Sequence, residues 1–371
     1  MAMDGMKPAI PASRDNLLGL DKSDLRHLAT FYKEPQFRGT QLFRDIYARR
    51  QRDFTQCTEL PAHFRHLLNS QYRVDYPEIK GRVASGDGSV RYLLSLQDGE
   101  SVETVYMPDE GRVTLCLSSQ VGCAVNCRFC FTALLGVKRN LEPDEIVGQI
   151  IAVTGAEQLP PGTPLNVVFM GMGEPLLNLE SVMKAVRIMA DPDGLAIALR
   201  RITISTAGIV PKIHDLAREA ARPKLAISLN ASTEGQRTAL MPLNRKYPLS
   251  ELLEACRAFP LGSRERLTFE YVLLDGINDT DSDARRVAAL LGRIRSKVNL
   301  IPYNPGPDLP YRPSPLRRVL AFQKILQDHR IPVFIRISRG QDIMAACGQL
   351  RLSGTESATA QVQAAQTLSP G

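Results

Sequence analysis

Between Leu25 and Leu68 apolar residues fall at helical spacing among arginines, most plainly in Phe37-Arg38-Gly39-Thr40-Gln41-Leu42-Phe43-Arg44-Asp45-Ile46-Tyr47. A small basic helical unit is therefore predicted over residues 25–71. From Tyr72 to Pro108 the period shortens to two in Val90 to Leu96 and Val102 to Met107, which predicts the strands of a linking hairpin or small sheet over 72–110. Beyond residue 111, strand-like runs recur at Val113 to Ser118, Leu165 to Met170, Arg201 to Thr206, Leu225 to Asn230, Leu267 to Leu274, Val298 to Tyr303 and Pro332 to Ile337. Helical runs separate most of them. One opens at Pro143 with Asp144 and Glu145 in its first turn, where the helix dipole favours acids, and another is predicted from Ser314 as N-cap with Pro315 at the first helical position. Alternating strands and helices predict an α/β fold: a parallel sheet covered by helices, either open or a partial barrel of about six units, over 111–352. Residues 1–24 and the Ser-, Thr-, Ala- and Gln-rich stretch 353–371 show neither period and are expected to be disordered.

Composition narrows the class. With 44% apolar and 23% charged residues in 371, the chain has the material for a large core, as one big or two unequal domains. No stretch approaches the ~20 apolar residues of a membrane span. Residues 1–20 lack the layout of a secretory signal. A soluble, cytoplasmic protein without a membrane partner is expected. The formal charge is +7. Between Arg26 and Arg82 eleven Lys and Arg stand against six Asp and Glu, so most of the excess is localised there and suits a polyanionic partner.

Seven cysteines are present: Cys57, Cys116, Cys123, Cys127, Cys130, Cys256 and Cys347. An odd number in a long chain without a secretory signal argues against a disulfide framework and for metal or redox chemistry. Cys123, Cys127 and Cys130 form C-x3-C-x2-C just after a predicted strand. Three thiolates on a four-iron cluster leave one iron open to a small molecule, the same logic as the vacant position of a catalytic zinc. A zinc module would want a fourth ligand close by, whereas the histidines nearest in sequence are His63, His66 and His214.

C-x3-C-x2-C with Phe129 before the last cysteine resembles the radical S-adenosylmethionine (SAM) superfamily. The segments Cys116 to Cys123, Arg139-Asn140-Leu141, Gly171-Met172-Gly173-Glu174-Pro175-Leu176 and Ala345-Ala346-Cys347-Gly348-Gln349-Leu350 resemble the RlmN/Cfr family in particular, as does Phe37-Arg38-x-x-Gln41. The resemblance runs from about residue 25 to 351. It implies a partial (β/α)6 radical SAM barrel, one 4Fe-4S cluster on Cys123, Cys127 and Cys130, and SAM bound to the open iron and cleaved to a 5′-deoxyadenosyl radical. It also implies the reaction: methylation of adenine C2 in 23S rRNA and, in the RlmN branch, in tRNA, with an external electron donor and a monomeric enzyme. Adenine C2 is no nucleophile toward SAM, which is why a radical route is wanted.

By the same resemblance Cys347 carries the methyl group and Cys116 resolves the protein–RNA adduct by forming a disulfide with it, while Glu103 accepts a proton. The ordinary alternative for either cysteine is a buried apolar residue, and for Glu103 an exposed strand carboxylate. Cys57 and Cys256 match no motif and are read as packing. Cofactor contacts are expected at the C-terminal ends of strands, where parallel β/α folds place ligands. Gly173, Glu174, Ser205, Ser228, Leu229, Asn230 and Asn304 lie at or near such ends and match SAM-contacting positions of the family. Two departures stand out: Asn230 where the family reads His, which removes a group titrating near neutrality, and Phe131, bulkier than the residue expected after the cluster. The alternatives are adenine C8 methylation of the Cfr type with the same cysteines, a radical SAM enzyme with a non-RNA substrate such as a glycyl-radical activase, and an RNA-binding protein with a structural metal.

Overall fold

A computed structural model describes residues 15–160 and 162–352. Strands β1 (Asp15–Asn16) and β2 (Tyr72–Arg73) pair in parallel and bracket the helices α1 (Lys22–Phe31), α2 (Gln36–Tyr47) and α3 (Ala62–Gln71). Asp21 caps α1 by accepting the N–H groups of Ser23 and Asp24, and Asp24 reaches back to the Asp21 N–H, a closed capping box. A side chain at Gly39 would put its Cβ 2.3 Å from the Leu25 carbonyl oxygen, so this glycine is what lets α2 approach α1.

The expectation of disorder fails for residues 15–24. Leu17 and Leu18 are buried, Leu17 N–H donates to the Arg73 carbonyl at 2.9 Å, and Gly19 N–H donates to Tyr47 Oη at 2.9 Å. Two adjacent leucines in a polar stretch bury themselves without producing either period, which is why the pattern missed them. The expectations for 1–14 and 353–371 fall outside the described residues.

Strands β3 (Glu78–Ala84), β4 (Val90–Ser95), β5 (Ser101–Asp109) and β6 (Arg112–Cys116) form an antiparallel meander. A separate hairpin, β7 (Gln120–Gly122) with β8 (Val137–Asn140), frames the cysteine loop and the short helix α4 (Phe131–Leu134). The alternating part follows as α5 (Pro143–Ala156), β9 (Leu165–Phe169), α6 (Leu179–Ala190), β10 (Ile202–Thr206), α7 (Val210–Arg218), β11 (Lys224–Ser228), α8 (Glu234–Leu240), α9 (Leu249–Ala258), β12 (Leu267–Leu273), α10 (Asp281–Leu291), β13 (Ser296–Pro302), α11 (Leu316–Asp328) and β14 (Val333–Ile335).

All of it joins one ten-stranded sheet ordered β14-β13-β12-β11-β10-β9-β6-β5-β4-β3, parallel from β6 to β14 and antiparallel from β6 to β3. β6 starts six strand–helix units, β14 follows as a seventh parallel strand, and the two edge strands do not pair, so the barrel is partial. The linking segment is thus continuous with the barrel sheet. Its outer strand β3 was not legible because it is an edge, largely exposed and broken by a register shift between Ile79 and Gly81. The α11 start also needs correcting: the helix begins at Leu316 behind Pro315, and the Ser314 hydroxyl caps nothing. No helix among the described residues is long and apolar enough to cross a membrane.

Candidate active site

The carboxyl ends of the parallel strands converge on one cleft of about 920 Å³, solvent at its mouth included. Cys123, Cys127 and Cys130 line it from the loop between β7 and α4. Gly173 and Glu174 come from behind β9, Ser205 from β10, Ser228 and Asn230 from the end of β11, Asn304 from behind β13, and Cys347 from the segment after β14. Leu229 is fully buried in the core and does not line the cleft, nor does Glu103; Cys116 opens onto a neighbouring cavity.

The cysteine loop is held by its backbone. Cys123 N–H donates to the Gly136 carbonyl at 2.7 Å, Arg128 N–H to the Leu240 carbonyl at 2.9 Å, and Phe131 N–H to the Gly348 carbonyl at 2.8 Å. The last bond ties the loop to the neighbour of Cys347. Phe131 fits despite its size because Gly306 faces its ring; a Cβ there would lie 2.2 Å from the ring edge.

Burial raises all three thiols, Cys123 to about 12, so without a metal they stay protonated at neutral pH. Among the described residues no three His, Cys, Asp or Glu close around a single metal ion. Cys123, Cys127 and Cys130 line one cleft and offer three thiols, the donor type that holds a four-iron cluster, leaving part of such a group without a protein ligand. The donor set therefore fits the cluster.

Glu174 is the most informative carboxylate. Its oxygens accept the N–H groups of Leu176 at 3.1 Å and Ala207 at 2.7 Å, and its own N–H donates to Gln120 Oε1 at 2.9 Å. Burial pushes its pKa up to about 7 against these bonds, so an ammonium arriving in the cleft would meet a carboxyl that ionises readily to receive it. Gly173 before it has φ +100°, and a Cβ there would lie 2.6 Å from that of Gln120. The hydroxyls of Ser205 and Ser228 make no hydrogen bond within the described residues and remain available to a ligand.

A pH dependence follows for the apoprotein. The folded carboxyl of Glu174 keeps its proton to about pH 7, while the unfolded chain releases it near 4.5. Between these values the native state binds more protons, so stability present below pH 4.5 is lost as the pH rises through 7, on the order of 3 kcal/mol in all. Urea midpoints from pH 4.5 to 7.5 should fall in the wild type more steeply than in Glu174→Gln; equal slopes would show that Glu174 titrates normally.

Asn230 sits at φ +54°, a left-handed conformation that Asn tolerates better than most residues. Its Oδ1 accepts the Val272 N–H at 2.9 Å and its Nδ2 faces Met241 Sδ at 3.5 Å, so its amide knits β11 to β12 at the cleft wall. Asn304 Nδ2 donates to the Cys347 carbonyl at 3.2 Å, and Asn304 Oδ1 accepts from Gln341 at 2.9 Å.

Cys116 and Cys347, 231 positions apart in the chain, line one second cavity of about 760 Å³, mouth included. Cys347, Met170 and Arg336 belong to both cavities and form the wall between them. Burial pushes the Cys116 thiol up to about 12, with Cys347 adding to the rise and Arg336 opposing it. All seven cysteines are free, so the disulfide implied for this pair is not a structural bond of the fold. Glu103 is fully buried: Arg91 Nη1 lies 2.9 Å from one carboxylate oxygen, and Arg351 N–H donates to the other at 2.9 Å. Burial raises its pKa, and Arg91 with the backbone N–H groups of Arg351 and Leu352 opposes the rise.

Four further residues shape the site. Glu270 lines the cleft with one oxygen bonded to Asn299 at 3.0 Å and the other without a partner among the described residues; the Tyr303 hydroxyl, which also lines the cleft, has none either. A lone acid inside the apolar run Leu267 to Leu273 was the available signal for Glu270. Arg336 was legible only as a strand-end residue. Arg237 is buried on α8 and donates to the carbonyls of Ala207 at 2.7 Å and Ser228 at 3.1 Å, clamping two strand ends, with no signal in the sequence.

Comparison with known proteins agrees with this geometry. The radical SAM superfamily model matches residues 117–288, and a ribosomal RNA large subunit methyltransferase N-terminal domain matches 15–74. The chain is 49% identical over 335 residues to a probable dual-specificity RNA methyltransferase RlmN of Koribacter versatilis, covering 86% of this chain and 96% of that protein. It is also 49% identical over 318 residues to the dual-specificity RNA methyltransferase RlmN of Syntrophobacter fumaroxidans, covering 85% and 92%. The crystal structure of a radical SAM methyltransferase from Sphaerobacter thermophilus matches with a TM-score of 0.85 at 41% identity, over 91% of this chain and all of that one. The chain therefore belongs to the RlmN family of radical SAM methyltransferases, enzymes that work with a 4Fe-4S cluster and SAM.

Proposed function

We propose that the protein methylates C2 of an adenine in 23S rRNA and in tRNA, using Cys347 as the methyl carrier. The observation that carries this reading is the position of Cys347: one wall of it faces the cleft of the three cysteines and Glu174, the other faces Cys116. A thiol between a cofactor site and a second thiol can load a group on one side and be relieved of its product on the other. The cluster and SAM, when bound, supply the methyl group and the means of removing a hydrogen atom from it.

The chain's own residues do the rest. Cys123, Cys127 and Cys130 hold the cluster. Glu174, its pKa near 7, receives the ammonium of SAM, and the free hydroxyls of Ser205 and Ser228 serve its other polar groups with Gly173, Asn304, Asn230 and the backbone at Leu229. Glu103, implied as a proton acceptor, has both oxygens engaged, so it also holds the Cys347 segment to β5 through Arg351. Phe131, Thr132 and Asn304 fasten that segment from the other side.

The reading extends to organisation: a basic accessory unit over 25–71 that contacts RNA phosphates, a β segment over 72–110, the catalytic barrel over 111–352, a monomeric state, an external one-electron donor and a cytoplasmic setting. The test is anaerobic incubation of reconstituted protein with SAM, reductant and unmethylated 23S rRNA or tRNA, followed by mass spectrometry of the nucleosides. 2-Methyladenosine is expected. 8-Methyladenosine would assign the Cfr chemistry, and no methyladenosine from either RNA, with the cluster intact and SAM cleaved, would end the RNA reading.

A further inference from the structure

We propose that Ile337, at the mouth of the cavity shared by Cys116 and Cys347, is the wedge that fills the place the target base leaves in its strand. The inference rests on the RNA reading above and goes beyond it by naming the residue that opens the RNA.

Among the described residues Ile337, 85% exposed, is the most exposed large apolar side chain; the next is Leu316 at 66%. A single exposed aliphatic residue is ordinary on a protein surface, so exposure alone decides nothing. Its place does. Ile337 lines the cavity that holds both thiols and follows Arg336, the cation in the wall shared with the cofactor cleft.

The segment carrying it is fixed on both sides. Arg336 N–H donates to the Leu300 carbonyl at 2.8 Å, and Gly340 N–H to Asp87 Oδ2 at 2.9 Å. Arg339 bonds the Pro108 carbonyl and pairs with Asp109 at 3.5 Å, and Asp342 accepts from Ser85 Oγ at 2.6 Å. Ile337 therefore projects from a braced strand end.

The chemistry requires such a part. A base stacked in a folded RNA cannot bring a ring carbon to a thiol inside a protein, so the target nucleotide has to leave its stack, which costs free energy. Nucleic-acid-binding proteins meet that cost with apolar side chains inserted between bases, and Ile is among those used. The only ring position that satisfies both cysteines is one between them, which is the cavity that Ile337 borders.

The experiment uses the reconstituted holoenzyme and a substrate RNA with 2-aminopurine at the target position, whose fluorescence rises on unstacking and whose C2 amino group blocks reaction. Wild type is expected to raise the fluorescence strongly. Ile337→Ala should bind this RNA within threefold of wild type yet raise it several-fold less, and should lose ten- to a hundredfold in kcat/KM on the unmodified RNA. Ile337→Leu should restore both. On an RNA with abasic neighbours, where little stacking has to be broken, Ile337→Ala should come within threefold of wild type. Wild-type unstacking by Ile337→Ala, or a rate loss that the abasic neighbours do not relieve, would overturn the wedge. Wild type that neither binds nor methylates RNA would instead overturn the reading beneath it.

Discussion

Cys347→Ala is expected to lower methyladenosine formation by about a thousandfold or more, as loss of a group that bonds covalently to the substrate does elsewhere. The cluster should survive, because Cys347 is not among the three cysteines proposed to hold it, and its segment bonds Phe131 and Thr132 through the Gly348 and Leu350 carbonyls, which alanine at 347 leaves in place. Ala345 and Ala346 precede it and the segment is pinned by Gln349, Asn304 and Arg351, so a smaller side chain leaves its anchoring intact. Nucleoside mass spectrometry reads the loss, and the iron–sulfur absorbance with reductive SAM cleavage reads what persists. Methyladenosine at more than a few per cent of the wild-type rate would remove Cys347 from the role assigned to it. Cleavage lost together with methylation would mean the substitution damaged the cofactor site instead.

Much of this site was legible before the fold was known, for reasons that differ by residue. Cys123, Cys127 and Cys130 are contiguous, so spacing alone brought them together. Glu174, Ser205, Ser228 and Asn304 are scattered, but the strand–helix rhythm places each at or just behind the end of a parallel strand, and parallel sheets gather such positions at one edge. Cys116 and Cys347 were coupled only by the resemblance, since nothing in a linear pattern says that two thiols 231 positions apart share a wall. Glu270, Tyr303, Arg237 and Arg336 escaped because their meaning lies in what they lack or clamp: an oxygen without a partner, two strand ends tied by one guanidinium.

The fold shows the same division. Strands with apolar runs were placed within a residue or two, because burial on both faces leaves a continuous signal. β3, β7 and β8 were not, being short or exposed, and the joining of the meander to the barrel through β6 depends on pairing that no local pattern encodes. The ordered stretch around Leu17 and Leu18 is stabilised by α2 and β2, distant partners that a window of sequence does not see.

Cys116→Ala should have a different signature from Cys347→Ala: a stable covalent RNA–protein adduct in place of released product. In the adduct of the proposed mechanism the methylene carbon bridges Cys347 sulfur and the adenine. Attack of a Cys116 thiolate on that sulfur forms the sulfur–sulfur bond and leaves the bonding pair on the carbon, which takes up a proton and becomes the methyl group. Remove the second thiol and the carbon–sulfur bond has no nucleophile to open it. Cys116 ends β6, is buried, and lines one cavity with Cys347 and Arg336, whose positive charge faces its thiol. Burial raises its thiol pKa, and the neighbouring Arg336 guanidinium opposes that rise and favours the thiolate. A denaturing gel of the variant incubated with labelled RNA should show one shifted band that nuclease digestion collapses to a nucleotide on the Cys347 peptide. Free methyladenosine at the wild-type rate would show that another group resolves the adduct, and Glu103, buried beside the same segment, would be the next residue to replace.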